Sequence, residues 1–456
     1  KISVLHHAPS AHIPARSGDP NPVSRNLDPL MHPFARARER TRALNAAKIE
    51  RMFAKPFIGS LEGHIDGVYT MARKRDELGT IASGSGDGEI IVHDISNRKH
   101  KVRFPSAHKQ TVSGLAFSEN DRLLSCGVDK TVKLWDTRTT SDGNGDLEDM
   151  DARTERTPLS VYAGKMAFNS IDRHRTDPLF ATASNIVHIW DETKSTPISN
   201  LTFPTSNETI TCVRFNLSES SILASAGTDR TLTLYDIRTG KAERRVVLQM
   251  RANHLSWCPT LPTSILLASE DHNLYTFDIR SFSIPTQIYK DHVAAVMSCD
   301  WSPTGTEFVS GGWDRTVRIW KEGVGRGPAV YHAKRMQRVF STMYTGDAAF
   351  ILSGSDDGNV RIWKARASEK LGVVDGREKA SKQYRDKLRE RWKFDPEVGK
   401  VERHRHLPKA VHKAAELKRT MLDARQVKED RRRKHTRAGE SKPKAERKKA
   451  VIVEQT

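Results

Sequence analysis

Hydrophobic and polar residues alternate along the middle of the chain in short segments, each ending in an aromatic residue that is usually followed by Asp. Residues 316–320, Thr-Val-Arg-Ile-Trp, are typical of the set. Alternation with a period of two, rich in β-branched residues, predicts a half-buried β-strand. Seven segments follow this pattern, and their aromatic positions are His93, Trp135, Trp190, Tyr235, Phe277, Trp320 and Trp363.

These aromatic positions recur at a regular interval. Five of the six intervals between them are 42 to 45 residues long, and the remaining one is 55 residues. A period of about 40–45 residues that ends in Trp-Asp is typical of a WD-repeat propeller. We therefore predict an all-β, seven-bladed WD-repeat β-propeller over residues 57–364. A basic arm (1–56, extended and then helical) precedes it, and a basic α-helical C-terminal extension and tail (365–456) follow it.

A second set of residues recurs in register with the aromatic positions. Asp stands six residues before most of them, Ser four residues before that Asp, and His near the start of several repeats. A catalytic triad occurs once, whereas this set is repeated. In WD-repeat proteins, which this segment resembles, such residues form a buried hydrogen-bond network. The residues assigned to the network are His64, Ser83, Asp87, His108, Ser125, Asp129, Trp135, Asp229, His292, Asp314, Trp320, Asp357 and Trp363.

Two repeats depart from the pattern. The third has Ser184 in place of Asp, and an acidic insertion at residues 141–156 lengthens it. Such an insertion is more often a solvated loop than a functional one. The fifth repeat is compressed around Asp271. We expect the third and fifth blades to be the least regular.

The seventh repeat is one strand short, because the chain becomes highly charged after Trp363. The apolar stretch at residues 56–61 precedes the first repeat and is expected to fill that edge. Such closure removes exposed strand edges and joins the two ends of the ring.

Charge is distributed unevenly along the chain, whose formal net charge is +19. Residues 1–56 carry 10 basic and 4 acidic side chains, residues 57–364 carry 36 and 37, and residues 365–456 carry 29 and 15. The excess therefore belongs to the two ends. A polyanionic partner is expected for these basic arms and not for the neutral middle.

The four scattered cysteines and the absence of a long apolar run indicate in which cellular compartment the protein is expected. The cysteines show no CxxC spacing, so we interpret them as buried thiols in a reducing compartment. No apolar run approaches the roughly 18–20 residues that cross a bilayer, and the first ten residues have no signal-peptide core. A soluble intracellular protein is expected.

The N-terminal arm begins with proline-rich sequence and becomes compatible with a helix at residues 33–53. Two interpretations stay open for this helix: a solvated lead into the propeller, or an arm that contacts RNA or a partner. The candidate contact residues are Arg36, Arg38, Arg40 and Arg42.

The C-terminal region shows two apolar stripes at helical spacing. The first stripe includes Tyr384, Leu388 and Trp392 and precedes a break at residues 394–399. The second stripe includes Leu417 and Met421 and follows Pro408, a residue suited to the first turn of a helix. The second stripe requires a partner surface, either the propeller wall or another protein. The candidate docking residues are Tyr384, Leu388, Trp392, Leu417 and Met421.

Basic clusters flank the second stripe, and they indicate a nuclear address or a phosphate-binding tail. His404 and His406 lie within one of these clusters, but no Cys or carboxylate cluster accompanies them. Contact with a polyanion is therefore favoured over metal binding. No metal or cofactor is expected. The candidate residues are Arg403, His404, Arg405, His406, Lys409, Arg431, Arg432, Arg433 and Lys434.

Blocks at both ends make the chain resemble the Sof family of nucleolar WD-repeat proteins. The blocks are residues 25–29, 32–39, 41–46, 50–57, 365–372, 389–393 and 403–409. The resemblance implies a non-enzymatic scaffold subunit of the small-subunit processome, located in the nucleus and nucleolus. It also implies association with processome proteins and the U-three small nucleolar ribonucleoprotein, and a requirement in 18S ribosomal RNA maturation. The basic arms are then expected to contact pre-ribosomal or small nucleolar RNA, with no membrane and no small-molecule substrate.

Two alternative functions have weaker support in the sequence. Residues 135–138 fit the Trp-Asp-x-Arg pattern of substrate receptors for cullin-RING ubiquitin ligases, with Arg138 as the candidate contact. Residues 235–238 and 277–280 are looser versions, and a solvated Arg at a strand end is the simpler interpretation of each. The sequence has no GxxxxGK[ST] loop, HExxH motif or nucleophile elbow, which argues against an enzyme.

Overall fold

The computed structural model describes residues 31, 33–138, 156–203, 209–404, 406–437, 440–442 and 445–455. The proline-rich start of the arm and almost all of the acidic insertion lie outside these residues. The chain forms two compact units: a helical unit (1–57 and 366–406) and a propeller unit (58–365 and 407–456). These units differ from the three consecutive segments expected, because segments distant in sequence pack together within each unit.

Seven antiparallel sheets form the blades of the propeller unit, as predicted. Blade 1 contains β2 (Val68–Arg73), β3 (Thr80–Ser85), β4 (Ile90–Asp94) and β5 (Lys99–Phe104); blade 2 contains β6 (Val112–Phe117), β7 (Arg122–Gly127), β8 (Thr131–Asp136) and β9 (Ser160–Ala163); blade 3 contains β10 (Ser170–Arg173), β11 (Leu179–Ala183), β12 (Val187–Asp191) and β13 (Ser199–Leu201).

Blades 4 to 7 follow the same order. Blade 4 contains β14 (Ile210–Phe215), β15 (Ile222–Gly227), β16 (Thr231–Asp236) and β17 (Lys241–Leu248); blade 5 contains β18 (Ala252–Trp257), β19 (Ser264–Ser269), β20 (Asn273–Asp278) and β21 (Gln287–Lys290); blade 6 contains β22 (Val296–Trp301), β23 (Glu307–Gly312), β24 (Val317–Lys321) and β25 (Ala329–Tyr331); blade 7 contains β26 (Val339–Tyr344), β27 (Phe350–Ser355) and β28 (Val360–Lys364).

The hydrophobic core lies between adjacent blades. One cluster joins Val102 and Phe104 of blade 1 to Leu123 and Trp135 of blade 2. Blade 3 has short strands, as expected from its irregular repeat. The irregularity expected of blade 5 does not extend to its strands, three of which have six residues each.

The turn that carries the recurring Asp places the next residue in the left-handed backbone region. Gly88 and Gly358 occupy this position in blades 1 and 7, with φ of 88° and 76°. A Cβ on Gly88 would lie 2.1 Å from the His108 carbonyl oxygen, so the next blade approaches too closely for any other residue. Other blades place Lys130, Arg230 or similar residues at positive φ in the same turn.

Ring closure follows the sequence prediction. Strand β1 (Phe57–Leu61) pairs with β28, so blade 7 has four strands in the order β1-β28-β27-β26. Leu61 is buried and packs with Ile58 and Ile362 in the core of this blade. The strand that completes the last blade therefore comes from the start of the propeller.

The end of the chain adds a fifth strand to blade 4, which was not predicted from the sequence. Strand β29 (Val451–Gln455) pairs antiparallel with β17, with Arg245 opposite Gln455. Two helices of the propeller unit precede it, α4 (Lys409–Lys434) and α5 (Glu446–Ala450). The apolar, β-branched residues at 451–453 explain why a strand follows the basic tail.

Among the described residues, the helical unit contains three helices: α1 (Ala35–Met52), α2 (Gly376–Arg391) and α3 (Pro396–Arg403). Asp375 and Asp395 cap α2 and α3 by accepting hydrogen bonds from backbone N–H groups. The break expected at residues 394–399 is therefore confined to a short turn, because Asp395 and Pro396 begin a new helix there.

Two further expectations from the sequence, the buried cysteines and the start of helix α4, agree with the structure. All four cysteines are free and buried, and burial raises the pKa of Cys126 to about 12. Helix α4 begins next to Pro408, as predicted. No helix among the described residues has the length and apolar character needed to cross a membrane.

Ring closure is tested by placing charge on β1 without shortening the chain. Ile58→Asp with Leu61→Asp should lower the melting temperature by about 5 °C or more, since two apolar side chains lose their place in the core. The matched control is Ile452→Asp with Val453→Asp on β29, where both side chains are exposed. Equal melting temperatures for the two variants in calorimetry would contradict closure through β1.

Candidate nucleic-acid and partner interfaces

The recurring polar residues form complete hydrogen-bond chains in blades 2 and 6. In blade 6 the Trp320 indole N–H donates to Ser310 Oγ over 2.7 Å, and His292 Nε2 lies 2.7 Å from the same oxygen. His292 Nδ1 lies 2.9 Å from Asp314 Oδ2. Blade 2 repeats this arrangement with Trp135, Ser125, His108 and Asp129, which agrees with the sequence prediction.

These chains are buried, and their electrostatics suit a structural role. Burial alone would raise the pKa of Asp314, but the charge and hydrogen bond of His292 outweigh it and hold the pKa well below its ordinary value. Burial lowers the pKa of His292 despite the neighbouring carboxylate. Ser310 and Ser125 have no solvent exposure, so neither hydroxyl is accessible to a substrate.

Blade 1 departs from the predicted network. His64 Nδ1 lies 3.5 Å from the Glu89 carboxylate, whereas Asp87 is exposed and accepts a hydrogen bond from the backbone N–H of Glu89. The assignment of Asp87 is therefore wrong, because buried Glu89 takes its place. Potential metal-ligand atoms of these three residues lie within 4.8 Å of one another, but Glu89 is already paired with Arg103.

Blades 4 and 7 replace the histidine partner of the recurring Asp by an arginine. Asp229 pairs with Arg245 of the neighbouring strand, and Asp357 pairs with Arg361. The arginine hydrogen bond lowers the pKa of Asp357 against the opposing effect of burial. In blade 7 the Trp363 indole still donates to Ser353 Oγ over 2.8 Å. Sequence reasoning missed these arginines because strand alternation does not reveal which cation faces the turn.

The four arginines of α1 have different surroundings in the helical unit. Arg40 pairs with Asp395 and lies 3.2 Å from Glu397. Arg36 lies over the Trp392 ring, 5.9 Å from its centroid, and Arg38 is exposed. Arg42 is half-buried. The structure therefore leaves only part of this set accessible.

The first docking stripe is covered by the chain itself. Leu388 is buried in a cluster with Ala43 and Ala47 of α1, and Tyr384 and Trp392 pack against that cluster. The Trp392 indole N–H donates to the buried Glu39 carboxylate over 3.0 Å. The stripe expected to dock a partner is therefore occupied by α1 of the same unit.

The second stripe is open among the described residues of the propeller unit. Leu417 and Met421 on α4 are 62% and 64% exposed. The helix is fixed by Lys418, whose Nζ donates to the His292 carbonyl over 3.1 Å and whose pKa is lowered by burial. The exposed stripe therefore remains a candidate for docking.

The basic clusters are exposed and only partly neutralised by their own helix. Arg431, Arg432 and Lys434 are exposed, whereas Arg433 pairs with Asp430 and Glu429. The basic cluster at residues 403–409 is also exposed at the positions that the structure describes, and Arg405 lies outside the described residues. The exposed members of the cluster at residues 403–409 are Arg403, His404, His406 and Lys409.

A cleft in the helical unit was not predicted from the sequence. Its volume is about 520 Å³, and it lies at the turn between α2 and α3. Phe394 on its rim is 94% exposed, although the next residues begin a helix. The lining residues are Arg36, Glu39, Arg40, Arg391, Trp392, Phe394, Asp395 and Pro396.

Comparison with known proteins now places the chain. The Sof1-like domain model matches residues 365–451, and the model for the WD domain, G-beta repeat, matches residues 99–136, 196–236, 283–321 and 332–364. The chain is 42% identical over 451 residues to Protein SOF1 of Saccharomyces cerevisiae, covering 95% of this chain and 92% of that protein. The chain belongs to the Sof1-like family of WD-repeat proteins.

Animal relatives of this Sof1-like chain carry another name. Proteins named DDB1- and CUL4-associated factor 13 from Homo sapiens and Xenopus laevis are each 40% identical over 454 residues, with 99% of both chains covered. Among solved structures, the WD40 propeller domain of Doa1 matches with a TM-score of 0.56 and 20% identity. The match covers 68% of this chain and 96% of the Doa1 chain, which agrees with the propeller fold.

Replacement of the buried carboxylate tests the structural role of the network. Asp314→Asn should destabilise the Sof1-like chain by about 1–3 kcal/mol at pH 7, because His292 loses its charged partner. The folded-state pKa of Asp314 is depressed, so its contribution is present above about pH 4 and is lost as the pH falls through the folded-state value. The difference between variant and wild type in thermal melts should therefore shrink below about pH 4.

The control for this experiment is Asp87→Asn, since Asp87 occupies the same place in its repeat but is exposed. Its effect should be clearly smaller. Equal losses from the two substitutions would contradict the assignment of Glu89 as the acidic member in blade 1.

Proposed function

We propose that this protein is a non-enzymatic scaffold subunit of the small-subunit processome that associates with the U-three small nucleolar ribonucleoprotein and supports 18S ribosomal RNA maturation in the nucleolus. The observation that carries the proposal is membership of the Sof1-like family, with similarity to Protein SOF1 over 95% of the chain. The neutral propeller serves as a rigid platform for proteins, a role that needs no catalytic residue.

The distribution of charge supports contact with RNA through the extensions. The residues outside 57–364 carry a formal net charge of +20, and α4 ends in four consecutive basic residues. Basic side chains on an exposed helix neutralise phosphates and release counterions, so binding should weaken steeply with salt. The open stripe at Leu417 and Met421 supports a protein contact on the same helix.

Crosslinking of assembled particles tests the scaffold role directly. Adducts to RNA are expected in residues 31–56 or 365–455, and adducts to proteins on the propeller. RNA adducts confined to the propeller blades would overturn the assignment of RNA contact to the basic extensions.

The contribution of the basic cluster at the end of α4 is testable by removing its charge. A variant with Arg431→Gln, Arg432→Gln, Arg433→Gln and Lys434→Gln should bind single-stranded RNA more weakly than wild type. The slope of log affinity against log salt should become shallower by about 0.7 for each phosphate that the variant no longer neutralises. Titration at several salt concentrations measures both effects.

The matched control neutralises four exposed basic residues of the propeller, Lys130, Arg230, Lys241 and Lys321. It should leave the slope unchanged. A slope that changes equally in both variants would show that binding depends on net charge and not on α4.

A second function, substrate receptor of a cullin-RING ubiquitin ligase, is favoured by a specific feature of blade 2. Arg138 directly follows β8 and its turn, its side chain is 61% exposed, and its backbone N–H donates to Asp136 over 3.0 Å. Relatives named DDB1- and CUL4-associated factor 13 support the same role.

Arg138→Ala is expected to abolish copurification with a DDB1-type adaptor and to leave the melting temperature unchanged, since the side chain is exposed. The matched controls are Arg238→Ala and Arg280→Ala, whose backbone N–H groups bind Asp236 and Asp278 in the same turn. Retention of the adaptor by the Arg138 variant would refute the contact.

A further inference from the structure

We propose that the cleft at the turn between α2 and α3 holds one unstacked nucleotide of single-stranded RNA, with the base on Phe394 and a phosphate at Arg36. The inference rests on the proposed function, since it names the ligand that the helical unit would take from an RNA partner. All residues that line the cleft belong to this one unit.

Phe394 provides a platform for a base. Its ring is 94% exposed at the rim of the cleft, while its backbone is held between two anchored residues. The Asp395 backbone N–H donates to the Trp392 carbonyl over 3.0 Å, and the Asp395 carboxylate caps α3. An exposed aromatic ring on a fixed turn is suited to stacking with a base of any sequence.

The arginines of the cleft differ in how they are neutralised. Arg40 is paired with Asp395, and Arg391 lies 3.3 Å from Glu39. Among the described residues, Arg36 forms no ion pair, and its guanidinium lies over the Trp392 ring, 5.9 Å from the centroid. Arg36 is therefore the guanidinium in this cleft that is available to a phosphate.

The mixture of charges favours a nucleotide over an acidic peptide. Glu39 and Asp395 line the cleft beside the three arginines, and they would repel the carboxylates of an acidic peptide. A base edge presents both donors and acceptors, so it accommodates carboxylates and guanidinium groups together. The helical unit also carries 23 basic and 12 acidic side chains, which favours a polyanionic backbone around the cleft.

Binding of an octauridylate to the full-length protein tests the inference. Phe394→Ala should weaken binding about 5- to 150-fold, the decrease expected for one stacked base, without changing the salt slope. Phe394→Trp should retain wild-type affinity. Arg36→Gln should instead make the salt slope shallower by about 0.7, because one phosphate is no longer neutralised.

The matched control is Phe53→Ala, which removes a ring of the same unit that is 59% exposed and does not line the cleft. It should bind octauridylate as wild type does. Photocrosslinking with 4-thiouridine in the same oligonucleotide should place adducts within residues 391–396, and these should disappear in the Phe394→Ala variant.

The outcomes separate the inference from the proposed function. If wild type binds octauridylate but the Phe394→Ala variant binds equally well and residues 391–396 carry no adduct, the cleft is not a nucleotide site, while RNA contact elsewhere stands. Binding of a decaglutamate peptide that depends on Phe394 would also overturn the inference. No binding of any RNA by wild type would defeat both the inference and the RNA contact in the proposed function.

Discussion

Closure of the ring is the constraint on which the rest of the propeller depends. Each blade buries its apolar residues mainly against the next blade, as Val102 and Phe104 do against Trp135, so no blade has a complete core by itself. Strand β1 completes blade 7 and connects the two ends of the ring. The buried hydrogen bonds that run from Trp to Asp then stabilise individual blades, but they form only when the neighbouring blade is folded.

Polar networks in the blades show that one structural task is met by different side chains. Blade 2 uses histidine beside Asp129, and blade 6 uses both histidine and Arg318 beside Asp314. Blades 4 and 7 use arginine beside Asp229 and Asp357. In each case a donor or cation neutralises a carboxylate that shapes a tight turn. A buried carboxylate is tolerated only with such a partner, so the network is preserved while its members change.

The two basic ends of the chain fold in different ways, and each joins a different compact unit. The N-terminal helix packs on Leu388 and becomes part of a folded helical unit, where some of its arginines are neutralised. The C-terminal segment adds α4 and β29 to the propeller unit, and its last helical turn keeps exposed basic residues. Among the described residues, these exposed charges lie on anchored elements, which reduces the entropy lost when a partner binds.

The sequence by itself determined the seven blades, the closing strand, the buried cysteines and the family, because strand alternation, a repeat near 43 residues and the terminal blocks are local signals. It also located the helix after Pro408. Only the tertiary structure decided that α1 covers Tyr384, Leu388 and Trp392, that Glu89 replaces Asp87, and that Phe394 borders a cleft. These features depend on pairs of residues far apart in the chain, such as Arg36 and Trp392, and periodicity reveals that a face is apolar without revealing what packs against it.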